Sequence, residues 1–177
     1  MRTLRSHALF LATLVLAACS QAPSPSVAPA SPGASTQAAQ PPSTPATIQP
    51  DLSLPLVTVH KSPTCGCCTG WVKHMREAGF RVEVRDVDNL DPVKTRLGIP
   101  YGKGSCHTAK VGGYFVEGHV PASDIKRLLA EKPDAKGLVL AGMPLGSPGM
   151  EVPDGTVQPY TVEIIDQQGE ATAFARH

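Results

Sequence analysis

From Asp51 onward the apolar positions fall into short segments with distinct periods. Leu54 to Val59 is a brief apolar run with β-branched residues, which predicts a strand. Cys68, Val72 and Met75 recur at spacings of four and three, the period of a helix face. A helix is therefore expected over about Cys65 to Ala78, with Gly79 as its C′ residue and Phe80 following. Arg81-Val82-Glu83-Val84-Arg85 alternates strictly and reads as a second strand. Asp91-Pro92 is expected as an N-cap with proline at N1, opening a short helix that turns Val93 and Leu97 inward and closes at Gly98. After a loop from Ile99 to Cys106, His107 to Val111 and Tyr114 to Glu117 read as strands joined by the hairpin signal Gly112-Gly113. Ile125, Leu128 and Leu129 mark a final helix, with Pro133 just beyond its end. Gly142 to Glu151 is an irregular Gly/Pro loop carrying two methionines. Tyr160 to Asp166 and Ala171 to Ala175, about a Gln168-Gly169 turn, read as a closing hairpin.

The expected class is α/β, in the order β-α-β-α-β-β-α with an extra C-terminal loop and β-hairpin. Cys65 and Cys68 form a Cys-x-x-Cys pair at the first strand–helix junction, and with that order the chain resembles the thioredoxin-like pattern.

The first fifty residues change the picture of domain organisation. Arg2 and Arg5 precede the apolar stretch Ala8 to Leu16, which is too short to span a bilayer comfortably and has the make-up of a signal peptide. It runs into Leu16-Ala17-Ala18-Cys19, which resembles the lipobox of bacterial lipoproteins, so residues 1–18 are expected to be removed and Cys19 to carry lipid. In the family rule for Gram-negative lipoproteins, Asp after the lipidated Cys retains the protein at the inner membrane. Ser20 points instead to the outer membrane, facing the periplasm. From Ser20 to Pro50 there is no charged residue, and Pro, Ala, Ser, Gln and Thr dominate. Such a segment cannot bury enough apolar surface to offset its ordering entropy, so residues 19–50 are expected to be a tether. Residues 51–177 are expected to form one folded, metal-binding domain.

Eighteen prolines outnumber the four Phe, three Tyr and one Trp, and the tether explains much of that imbalance. The formal net charge is +1, and the basic residues form no patch interleaved with aromatics, so nucleic acid is not an expected partner.

The chemistry is concentrated in Cys65-Gly66-Cys67-Cys68. A helix starting near Cys65 would set these thiols at its positive end, which favours thiolates. Thiolates are soft ligands for Cu(I), zinc or iron–sulfur, and they are also the nucleophiles of disulfide exchange. In a thioredoxin-like fold the loop before the third strand packs on the Cys-x-x-Cys turn. Ser105-Cys106-His107 falls there, in place of the usual cis-proline, and would bring a fourth sulfur close. Four sulfurs can hold one tetrahedral Zn²⁺ or several Cu(I) ions. Adjacent Cys67 and Cys68 chelate a single ion awkwardly and suit bridging in a cluster, which favours Cu(I). The familiar spacings of iron–sulfur sites are absent. His107 and His119 are candidate secondary ligands or second-sphere groups, against the plainer reading that they satisfy backbone groups. Met143 and Met150 are candidate thioether donors to Cu(I), or ordinary loop packing. His60 is expected at a strand end, His74 exposed on the helix, and Trp71 in the core. Lys61 either supports thiolates or is simply solvated.

Cys65-Gly66-Cys67-Cys68 with Trp71, Ser105-Cys106-His107-Thr108-Ala109, Glu117-Gly118-His119-Val120-Pro121-Ala122, and Gly142-Met143-Pro144 through Glu151 together resemble the CopG-like family. These are envelope proteins of copper resistance, formerly a domain of unknown function with metal binding inferred. The resemblance runs from about Val57 to Glu151 and implies a thioredoxin-like fold. It also implies a copper cluster held by cysteines, carried here onto Cys65, Cys67, Cys68 and Cys106.

The expected function is a lipid-anchored protein binding multinuclear Cu(I) in copper resistance, with other envelope copper-handling proteins as partners. Neighbouring thiols that cycle between dithiol and disulfide would make the site a copper or thiol oxidoreductase. The alternatives are a thiol–disulfide oxidoreductase without stable metal and a structural zinc site.

Overall fold

A computed structural model describes residues 49–177. The expected signal peptide, Cys19 and nearly all of the tether lie outside the described residues. Among those described, no helix is long and apolar enough to cross a membrane.

The elements are β1 (Val57–Lys61), α1 (Gly66–Glu77), β2 (Val82–Asp86), α2 (Asp91–Leu97), β3 (His107–Val111), β4 (Tyr114–Glu117), α3 (Ala122–Glu131), β5 (Ala135–Val139), β6 (Thr161–Asp166) and β7 (Ala171–Arg176). The first seven follow the expected order. All seven strands join one mixed sheet in the order β2-β1-β3-β4-β5-β6-β7. β1 runs parallel to β2 and antiparallel to β3, while β4 runs parallel to β5.

Period-two alternation puts Val57, Val59, Ala109, Val111 and Val116 on one face of the sheet. There they pack with Trp71, Val72 and Met75 of α1 and Ile125 and Leu128 of α3 in the main core. The opposite face carries a smaller cluster of Phe115, Val139 and Ile165 with Leu97, Ile99 and Ala171. Gly112 and Gly113, both at positive φ, make the β3–β4 turn, as a two-residue hairpin requires.

Four expectations need correction. No strand was expected between α3 and the closing hairpin, but Ala135–Val139 forms β5, which pairs with β4 and β6 and makes that hairpin part of the main sheet. Gly137 hid this strand, because it breaks the apolar run. It is required there, since a Cβ would collide with the Phe115 carbonyl oxygen on β4. Second, α2 starts one residue earlier than read. Asp91 is already helical, and the Asn89 side-chain oxygen accepts from its N–H at 2.9 Å. Third, His74 is not exposed. It is partly buried, and its Nε2 accepts from the N–H of Ala122 at 3.0 Å, satisfying the first free donor of α3. Lys61 is not solvated but buried, with its ammonium 3.2 Å from Asp86 Oδ1.

Burial holds the His74 imidazole below the ordinary histidine pKa. Its stabilising contribution is thus full above the unfolded value of about 6.5 and is lost as pH falls toward the depressed folded value. His74→Ala is expected to lower stability by about 1 kcal/mol at pH 8, through loss of the helix-end hydrogen bond. In urea unfolding from pH 8 to pH 5 the variant should also lose less stability than the wild type.

Candidate metal centre

The first turn of α1 sets three of the sulfurs. Cys65 is the N-cap residue, in extended conformation, and its Sγ accepts from the Cys68 N–H at 3.4 Å. A sulfur thus stands where a capping oxygen would, at the positive end of the helix. Cys68, one turn from Val72, points into the core and is fully buried. Cys67 remains partly exposed, with its Sγ 3.5 Å from that of Cys65.

The fourth sulfur arrives from the loop before β3. Cys106 Sγ lies 3.3 Å from Cys68 Sγ and 3.8 Å from Cys67 Sγ. All four sulfurs lie within 4.8 Å of one another. The adjacent Cys67 and Cys68 therefore do not diverge here, since both reach toward Cys106. Cys65 and Cys68 are joined as a disulfide, whereas Cys67 and Cys106 are free thiols.

A second donor group shares Cys106. Its Sγ is 3.0 Å from His119 Nε2 and 3.5 Å from His107 Nδ1. His119 Nδ1 sits 2.8 Å from the Pro148 carbonyl oxygen, which can only accept. The proton therefore resides on Nδ1, and Nε2 offers its lone pair to the sulfur site. His107 is fully buried between Trp71, 4.5 Å away, and His119, 4.9 Å away. Its Nε2 has no hydrogen-bond partner.

Burial depresses the pKa of both imidazoles, that of His107 well below the usual range, with the charges of His119 and Lys94 adding to the effect there. The Cys106 thiol moves the other way, pushed up to about 12 by burial first and then by Cys67. Helix-end stabilisation of thiolates thus does not extend to Cys106.

Residues that sequence reading passed over hold this geometry. Glu117 on β4 is fully buried and forms an ion pair with Lys94 of α2. Its carboxylate also accepts from the Ser105 N–H and the Thr108 hydroxyl, each at 2.6 Å. Lys94 donates in addition to the Ser105 carbonyl at 3.1 Å. The residue before Cys106 is thereby fixed from both sides. Strand alternation was the available signal: it puts Glu117 on the sheet face toward α2, where a lysine could meet it.

The Gly142–Glu151 loop closes over the helix turn. Gly149, at φ 85°, comes so near α1 that a Cβ would sit 2.5 Å from the Cys67 carbonyl oxygen. Facing it is Gly70, whose own Cβ would be 2.9 Å from Gly149 Cα. This pair of glycines brings Pro148 within reach of His119. Met150 follows Gly149 and is partly buried, with its N–H donating to Ser147. Met143 is half exposed in the same loop. Trp71 is core, as expected, and its Nε1 donates to the Val120 carbonyl at 2.9 Å.

A family model described as "Protein of unknown function, DUF411" matches residues 103–150, the span that supplies Cys106, His107, Glu117, His119 and the glycine loop. Comparison with curated proteins gives no match. Two solved structures are similar, named "Copper resistance protein copG", Form 2 and Form 1. Each is 44% identical and covers 70% of this chain and 98% of its own, with TM-scores of 0.67 and 0.66. The chain belongs to the CopG-like family.

Proposed function

We propose that the protein binds copper, chiefly as Cu(I), through Cys65, Cys67, Cys68 and Cys106, and so contributes to copper resistance. The observation that carries this reading is the convergence of four cysteine sulfurs within 4.8 Å in a CopG-like chain. Soft thiolates select Cu(I) over harder ions. The donor set fits once the Cys65–Cys68 bridge takes up two electrons and two protons, which frees all four sulfurs. His119 Nε2 is placed to add a nitrogen donor or to accept the Cys106 proton, and His107 lies next to the same sulfur. Met150, beside Gly149, and the half-exposed Met143 are placed in the covering loop.

The order of the first seven elements supports a thioredoxin-like core, extended here by β5, β6 and β7. The lipobox and uncharged tether support an envelope location, with Cys19 anchored in the outer membrane and the domain facing the periplasm. There it would exchange copper with other envelope copper-handling proteins.

The Cys65–Cys68 disulfide favours a second reading, a thiol–disulfide oxidoreductase, because a free thiol stands 3.5 Å from one of its sulfurs and another 3.3 Å from the other. Reversible closure of that bridge would also couple copper release to oxidation.

Cys106→Ser is expected to lower copper bound per chain sharply while the circular dichroism spectrum stays unchanged. Wild-type copper content in this variant would remove Cys106 from the site. Oxidation offers a separate test: chain treated with a disulfide-forming reagent should retain little Cu(I) after desalting, and reduction should restore the capacity. Copper retention indifferent to oxidation would exclude Cys65 and Cys68 as ligands.

A further inference from the structure

The sheet face that carries α2 is crossed by a helix of only seven residues, and it gathers positive charge. Register sets Arg85 beside His60 and Lys110 beside Thr58. Alternation places all four on this face, opposite the main core. Between them and α2 lies a cavity of about 260 Å³, lined by Thr58, His60, Arg85, Arg96 and Lys110 over an apolar floor of Val93 and Leu97. A second cavity of about 250 Å³ shares Arg96, Leu97 and Lys110 and adds Lys136. No aspartate or glutamate lines either one.

That concentration is notable in a chain of formal net charge +1. Arg96, Lys110 and Lys136 make no ion pair among the described residues. Arg85 alone is answered, by Glu83 Oε1 at 3.0 Å. Unneutralised like charges around a concavity repel one another and focus a positive potential. The neighbouring His60 feels it: burial first, and then the charges of Arg85 and Arg96, hold its pKa below the usual value. Its Nδ1 is buried without a hydrogen-bond partner. The residue that carries this atom lines the cationic cavity.

We propose that this paired cavity is a phosphate-binding site. Arg85 and Arg96 offer planar forks that match phosphate oxygens, Lys110 and Lys136 add point charges, and the Thr58 hydroxyl adds a donor. Several cations suit a phosphate better than a single carboxylate charge. The volumes admit a phosphate ester or a phospholipid headgroup. None of these residues belongs to the cysteine site, so the proposal stands or falls apart from copper binding.

The test is calorimetric titration of the full chain at constant ionic strength. The probes are glycerol 3-phosphate and dihexanoyl phosphatidylglycerol kept below its micelle concentration, with dihexanoyl phosphatidylcholine as control. Saturable binding is expected, weakened roughly tenfold by Arg96→Gln and again by Lys110→Gln. Both side chains are exposed, and copper content should not change in either variant. Tighter binding of glycerol 3-phosphate would support the site and make the ligand a free phosphate ester. Tighter binding of the anionic lipid would support it and make the ligand a headgroup. Absence of saturable binding by both, equal binding of the phosphatidylcholine control, or equal binding by wild type and double variant would overturn it.

Discussion

The cysteine site depends on a carboxylate that water does not reach. Glu117 is fully buried, and its ion pair with Lys94 draws α2 onto the sheet while its other bonds hold the Ser105 N–H and the Thr108 hydroxyl. One residue on β4 thus ties together a helix, a loop and a strand. Buried ion pairs add little net stability, yet losing one partner leaves an uncompensated charge at a cost of about 3–5 kcal/mol. Such a pair acts here as a positional constraint. It determines where Ser105 ends and therefore where the Cys106 sulfur lies relative to Cys67 and Cys68.

Given that constraint, the site balances two opposing electrostatic influences. The N-terminus of α1 favours negative sulfur at Cys65, whereas burial and a neighbouring sulfur oppose it at Cys106. The second influence prevails at Cys106, while Cys65 and Cys68 are joined to each other as a disulfide. A soft cation would offset the desolvation of all four sulfurs together. A bound metal and an external oxidant would compete for the same sulfurs, so the two proposed readings share one set of residues.

Much of this was legible in the chain. The spacing of Cys68, Val72 and Met75 located α1, and the Cys-x-x-Cys junction followed by Ser105-Cys106 led to four converging sulfurs. Local patterns failed where long-range contacts decide. β5 escaped because Gly137, demanded by the close approach of Phe115, erases the alternation that marks a strand. His74 was misplaced because its partner, the Ala122 N–H, is 48 residues away. The roles of Glu117, Gly70 and Gly149 exist only between elements, so no window of sequence contains them. Even so, their residue types are informative afterwards: a charged residue on a strand and paired glycines across a helix–loop contact.

X-ray absorption of the reduced, Cu(I)-loaded chain tests the proposed thiolate site most directly. A Cu(I) edge, a first shell dominated by sulfur, and copper–copper scattering from bridged ions are expected. A first shell of nitrogen and oxygen alone would contradict that site.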